Sequence, residues 1–341
     1  MKGLERLARI NGGFVTRREV LDSGLWDSDL TRAISAGEWT TVRRGVYAPT
    51  ASYAPLDSRD RHLLLLRSVL AESGPDYVAT HDSAVVAGGL GDYGHGTYEL
   101  DLEVAHIARV GGTTSRRTSS IQYHRAAVHP DAATVIAGLR CIGAARAIVE
   151  TMPTTSLDAA TVLASSWLAS RRSEVRRSGM VELFDEAEAK RHLHQEVAAL
   201  GLRRGVRTAR AAIDIADARC ESVGEVRFLV LCWEYGLPRP RTQLEVPLDG
   251  DRYAEVDFAW PDVRLIIEFD GMLKYDEARA GGRPARVTVG AEKRRERAVR
   301  DRGWHVGRVT WDDLLPANRE RTALYVRREL ARAARLAERA R

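Results

Sequence analysis

The stretch AEVDFAWPDVRLIIEFD (254–270) threads four carboxylates, Glu255, Asp257, Glu268 and Asp270, through residues of the kind that build buried strands. A hairpin turning around residues 261–264 sets Asp257 opposite Glu268 and Glu255 opposite Asp270. Alternation then places Val256, Phe258, Trp260, Leu265, Ile267 and Phe269 on one face, with Glu255, Asp257, Ala259, Ile266, Glu268 and Asp270 on the other. Like charges facing each other across a sheet are destabilising. The acid face must therefore meet solvent or a cation, and the apolar Ala259 and Ile266 beside the acids argue against free solvation. Paired carboxylate oxygens suit Mg²⁺, which grips a phosphate and activates water.

Such a hairpin needs elements around it. ESVGEVRFLVLCWEYGLPRP (221–240) predicts a helix capped by Ser222 and ended by Gly236, with Val226, Leu229, Val230 and Trp233 as its apolar stripe. TQLEVPL is a strand, DG (249–250) a turn, RYAEVDFAW and VRLIIEFDG the hairpin, AEKRRERAVRDRG a charged helix and WHVGRVTW a fourth strand. A long basic helix follows Pro316, so the order is αβββαβ plus a helix. Glu225 stands three residues after Ser222, the position from which a carboxylate caps its own helix. Asp270, beside Gly271, suits a turn. Arg294, Arg295 and Arg297 fit DNA phosphates, and an i,i+4 ladder with Glu292 and Glu296 accounts for them nearly as well.

The chain of 341 residues has room for two or three domains. Its 44% hydrophobic and 29% charged residues exclude wholesale disorder. No apolar run approaches the roughly 20 residues that span a bilayer. MKGLERLARINGG carries charges where a secretory signal has an apolar core. The expectation is a cytoplasmic protein with no membrane partner, associated with the nucleoid when bound to DNA. Cys141, Cys220 and Cys232 fit a reducing compartment and no metal-ligand spacing. The net charge is only +5, but RRSEVRR (171–177), RRGVRTAR (203–210), EKRRERAVRDR (292–302) and the Arg-rich tail form basic stripes, suited to a polyanion or to solvated helix faces.

Residues 14–49 predict a second functional unit. Thr16 and Glu19 form a capping box opening a helix that ends at Gly24; Asp27 or Ser28 caps another, with Leu30, Ala33 and Ile34 at helical spacing and Gly37 as its stop. WTTVRRGVYAP follows as a short ribbon around Arg43-Arg44-Gly45. Helix, turn, helix and basic ribbon make a winged helix-turn-helix, in which Arg17, Arg18, Arg32, Arg43 and Arg44 become phosphate or groove contacts; a small packing-only helix pair is the competing reading. In residues 52–215 DRHLLLLRSVLAESG predicts a helix, LDLEVAHIARV and SIQYHRAAV predict strands, and the stretch from Ser156 reads as Arg-rich helices. His81, His95, His106, His124 and His129 are scattered without ligand spacing and read as structural.

Two resemblances sharpen this reading. GEWTTVRRGVYAP (37–49), with THDSAVVAGGLG (80–91) and LRCIGAARAIVETM (139–152), is similar to AbiEi-type antitoxins, DNA-binding autorepressors of bacterial toxin–antitoxin pairs, over about residues 1–170. VDFAWPD, IIEFDG with Lys274-Tyr275, EKRRE and GWHVGRVTW resemble the very-short-patch-repair-like branch of the PD-(D/E)XK nucleases over about residues 220–315. That resemblance implies Asp257 as central metal ligand, Glu268 as the acid of the second half-motif and Glu225 as the helical acid around Mg²⁺ or Mn²⁺. The motif's lysine position holds Asp270, and the resemblance points to Lys274, or Lys293 on the next helix, as the replacement cation. Lys293, Arg294 and Arg297 complete the expected DNA contacts.

The expected fold is α+β multidomain: a winged helix-turn-helix (1–50), an α/β middle domain (51–170), a helical Arg-rich connector (171–219) and a PD-(D/E)XK, restriction-endonuclease-like domain with a basic helix (220–341). The expected function is a Mg²⁺-dependent endonuclease acting on double-stranded DNA, with defence against phage or foreign DNA as its role and a cognate toxin or other protein as a further partner. The alternative is a non-catalytic, antitoxin-like transcriptional regulator whose nuclease fold is a relic.

Overall fold

The computed structural model describes residues 2–91, 99–112, 115–125, 133–179, 183–201, 204–248, 252–271 and 294–339. It is mixed α+β, and its contacts group the chain into two units, Met1–Thr155 with Arg191–Ala209, and Ser156–Lys190 with Arg210–Arg341. Residue 170, expected as a domain boundary, lies inside the continuous helix Leu157–Arg177. No helix among the described residues is long and apolar enough to cross a membrane.

The first unit opens with helix Lys2–Ile10, strand Val15–Thr16, helices Arg17–Asp22 and Asp27–Ser35, and strands Trp39–Arg43 and Val46–Pro49. Val46–Pro49 is the middle strand of a three-stranded antiparallel sheet. The Thr16–Glu19 capping box forms as its spacing requires. The second helix starts one residue earlier than expected. Trp26 is its N-cap and Asp29 reaches back to the Trp26 N–H at 3.0 Å, while Asp27 pairs with Arg17. Leu4, Ala8, Val15, Val20, Leu30, Ala33 and Trp39 form the small core.

Farther along, a six-stranded mixed sheet runs in the order Arg116–Arg117, Ile121–His124, Ala105–Arg109, Tyr77–Ala79, Leu139–Ile142, Ala133–Ile136. Helices Ser58–Ser73, His81–Ala87 and Ala144–Thr151 accompany it. The apolar and small residues of these helices are largely buried, as an α/β layer requires.

The second unit contains helix Leu157–Arg177, helix Val223–Glu234, strands Arg241–Pro247, Tyr253–Trp260 and Leu265–Asp270, a helix over residues 294–301, strand His305–Thr310 and helix Arg319–Arg339. The four strands follow chain order, antiparallel except for the last pair. Between the hairpin strands a single 3₁₀ turn, Pro261–Val263, ends on Arg264 in the left-handed region at φ 54°. Trp233, expected on the apolar stripe of its helix, is 54% exposed. Asp158 anchors this unit: Arg319 grips both its oxygens, at 2.7 and 3.2 Å, and Arg227 adds a third bond at 3.2 Å. All three side chains are buried, where removing one partner would strand a charge.

Candidate functional site

The hairpin pairs Phe258 with Ile267, Ala259 with Ile266 and Trp260 with Leu265, the register that continues to Asp257 opposite Glu268. Regular pairing stops before the acids. The Asp257 carboxylate accepts the Phe269 N–H at 2.8 Å, and Glu268 faces the Asp257 N–H at 3.5 Å. Each acid thus takes a backbone donor from the opposite strand where the ladder opens, which offsets part of the repulsion between them. Ala259 and Ile266 are buried in a cluster with Val246, Val299 and Val306, so the acid face is covered over these residues. The outer acids do not join the site. Glu255 is exposed, and Asp270 is 47% exposed with Arg308 at 3.9 Å.

Helix Val223–Glu234 supplies the third acid. Ser222 caps it, and Glu225 accepts from the Ser222 hydroxyl at 2.7 Å and from the Glu221 N–H at 2.9 Å. The side chain is therefore occupied as a cap, yet it also faces the hairpin. The Gln243 amide donates to Glu225 at 3.1 Å and to Asp257 at 3.4 Å, bridging the two acids. Gln243 holds φ +45°, a left-handed conformation uncommon for glutamine in a strand. Helix and strand approach closely because residue 224 is glycine: a β-carbon there would stand 2.0 Å from the Phe269 ring.

Burial, with the nearby charge of Asp257, pushes Glu225 up to about 7. Burial and Asp257 push Glu268 up to about 7 as well, against the opposing pull of Arg295. A site that holds its carboxylates near half-protonation at neutral pH is short of positive charge. Arg295 is the described cation, 3.4 Å from Glu268 and bonded to the Glu255 carbonyl. Lys274 and Lys293, the cations expected here, lie outside the described residues. Among the described residues no three His, Cys, Asp or Glu side chains form a ready metal cage. Mg²⁺ commonly needs only one or two carboxylates, its other positions going to water and phosphate. Asp257 and Glu268 meet that requirement, with Glu225 held behind them by Gln243 and its cap.

Gln243 and Arg295 become site residues only once strands pair and the 294–301 helix packs. Neither carried a sequence signal: Gln243 reaches the acids from strand Arg241–Pro247, which pairs with Tyr253–Trp260. Arg294 and Arg297 are exposed, and Glu296 pairs with Arg300 at 2.7 Å, while Glu292 of the expected ladder lies outside the described residues.

The N-terminal arginines divide. Arg18 and Arg32 are 89% and 77% exposed with only local acidic neighbours, and Arg44 is exposed at the ribbon's tip. Arg17, 53% exposed, pairs with Asp27. Arg43 turns inward: it is 11% exposed, bonds Ser68 through both hydroxyl and carbonyl, and pairs with Glu72. That engagement makes it a fastener of the ribbon to helix Ser58–Ser73.

His81, His106 and His124 come together in the structure. His106 Nδ1 meets His124 Nε2 at 2.9 Å, the His81 and His124 rings stack at 3.6 Å, and His62 bonds Ser83 at 2.9 Å, which also accepts the His106 N–H. His81 faces Glu150 at 3.3 Å. Burial holds His106 and His124 down to about 4, so both are neutral at pH 7. His95 and His129 lie outside the described residues.

Comparison with known proteins bears on the N-terminal elements. The chain is 33% identical over 126 residues to uncharacterized proteins from two strains of Mycobacterium tuberculosis, a match covering 37% of this chain and 44% of each relative. It therefore spans less than half the length of these curated relatives. Residues 4–50, which hold the two short helices and the ribbon, match the sequence model of the AbiEi antitoxin transcriptional regulators.

Proposed function

We propose that this protein reads double-stranded DNA with an N-terminal winged helix-turn-helix and hydrolyses phosphodiester bonds at a PD-(D/E)XK-like acid site. The carrying observation is the meeting of Asp257 and Glu268 where the hairpin opens, with Glu225 bridged to Asp257 through Gln243. The N-terminal half of the reading rests on the match to antitoxin regulators and on the exposed Arg18, Arg32 and Arg44 around a short helix and ribbon.

Asp257 and Glu268 would hold Mg²⁺ or Mn²⁺, which when bound would supply Lewis-acid stabilisation of the phosphate and lower the pKa of the attacking water. Glu225, near half-protonation at pH 7, holds or releases a proton beside Asp257. Arg295 places positive charge next to Glu268. Water attacks phosphorus in line as it gives a proton to Glu225, the bond from phosphorus to the sugar oxygen breaks, and that oxygen takes a proton from solvent water. A cognate toxin partner and a role in defence against phage DNA suit this architecture.

A second reading has specific support. Arg295 already neutralises part of the acid site, and Asp270 replaces the motif's lysine, as in a relic fold that serves a transcriptional regulator. A plasmid cleavage assay in Mg²⁺ or Mn²⁺ compares the wild type with Asp257→Ala and Glu268→Ala. Strand breaks by the wild type alone support the nuclease. No cleavage by any form, with metal-independent DNA binding intact in all three, selects the regulator.

A further inference from the structure

A second constellation lies in the first unit, on residues the acid site does not use. In the six-stranded sheet Tyr77 pairs with Arg109, and Tyr123 pairs with both Arg116 and Ile107. Arg109 lies two residues beyond Ile107 on its strand, so alternation puts Tyr77, Arg109, Tyr123 and Arg116 on one face. They line a cleft of about 440 Å³, within the size range of small-molecule sites, with His124 and the turn at Gly111 at its margin.

The lining is matched to one kind of chemistry. Two guanidinium groups enter it, and among the described residues no carboxylate lines it. Arg116 pairs with no carboxylate among the described residues. Its guanidinium lies 4.3 Å over the Tyr123 ring, which orients it before any ligand arrives. Arg109 pairs with Asp76, at 3.5 Å, with both side chains more than half exposed. A pair so solvated yields readily to a better anion. Tyr77 and Tyr123 meet edge to face, 6.1 Å between centroids and 74° between planes. Arg116 already covers one face of Tyr123, so Tyr77 is the ring left for stacking.

We propose that this cleft binds a nucleoside phosphate, its phosphate on Arg109 and Arg116 and its base against Tyr77. Guanidinium forks suit phosphate oxygens, and tyrosine rings stack on bases of any sequence. Free nucleotides and the nucleotide units of a single strand present the same chemistry, and the test separates them.

The test is calorimetric titration of the full chain with AMP, ATP, ribose 5-phosphate and a short single-stranded oligonucleotide, repeated on Arg116→Gln, Tyr77→Leu and Asp257→Asn. The expected result is saturable nucleotide binding about tenfold or more tighter than ribose 5-phosphate, weakened about tenfold by Arg116→Gln. Tyr77→Leu brings AMP down to the affinity of ribose 5-phosphate, while Asp257→Asn leaves binding unchanged, which separates this site from the acid site. Binding of the oligonucleotide alone, with the same response to the variants, assigns the ligand to a strand. Arg116 is exposed, so Arg116→Gln keeps the test valid even where Tyr77→Leu fails to fold. The proposal is overturned by no saturable binding of any nucleotide or oligonucleotide, by equal affinity in wild type and Arg116→Gln, or by nucleotides binding no better than ribose 5-phosphate.

Discussion

Asp257 is the residue through which the acids sense one another. Its carboxylate raises both Glu225 and Glu268, and it accepts the Phe269 N–H. Asparagine keeps an acceptor for that N–H but removes the charge. Asp257→Asn is therefore expected to fold while losing any Mg²⁺-induced rise in thermal midpoint that the wild type shows. A rise of equal size in the variant would place the metal elsewhere. The hairpin register was legible at Phe258–Trp260 against Leu265–Ile267, because the turn and the period-2 alternation are local properties. Gln243 and Arg295 were not, because each reaches the site from an element whose packing no local pattern specifies.

Among the elements, helix Val223–Glu234 decides how near Glu225 comes to the hairpin. Its second residue, Gly224, lies under the Phe269 ring, which Trp311 flanks edge-on at 5.4 Å. Gly224→Ala must push that ring aside, and overpacking of this kind costs about 1–3 kcal/mol. Urea denaturation followed by tryptophan fluorescence reads the loss, and an unchanged midpoint would show that the ring gives way freely. Helix ends were readable from the sequence at Thr16/Glu19 and at Ser222, where side chain and backbone lie within four residues. The Trp26 cap was missed because its bond comes from Asp29 to a backbone N–H, which any residue offers. The histidine cluster was missed for a different reason: its members sit on three separate elements that only the sheet order brings together.

At the scale of the molecule, the buried His106 of the first unit and the buried Glu225 and Glu268 of the second titrate in opposite senses. His106 is held below its ordinary value, so protonation favours the unfolded chain. Its contribution is present above about pH 6.5 and is lost as the pH falls toward 4. Glu225 and Glu268 are held above theirs, so their contribution is complete below about pH 4.5 and is lost as the pH rises through 7. For Glu225 the span corresponds to roughly 3 kcal/mol, by the conversion of pKa shift to free energy. Lowering the pH from 7.5 to 5.5 should weaken the first unit and strengthen the second. Pulse proteolysis in urea, with the cleaved segments mapped by mass spectrometry, tests this. Parallel changes in both units would refute it.

Gly224 also separates two kinds of inheritance. The space beneath Phe269 is demanded by the fold, whatever becomes of the chemistry, whereas the Asp257 side chain serves the fold through bonds from the Phe269 N–H and the Gln243 amide, for which asparagine keeps an acceptor. If the proposed hydrolysis is real, relatives that keep the architecture but lose the reaction are expected to retain glycine at 224 while 257 drifts, and relatives that still cleave are expected to hold both. Under that proposal, comparing drift at the two positions would date the loss of selection on the reaction.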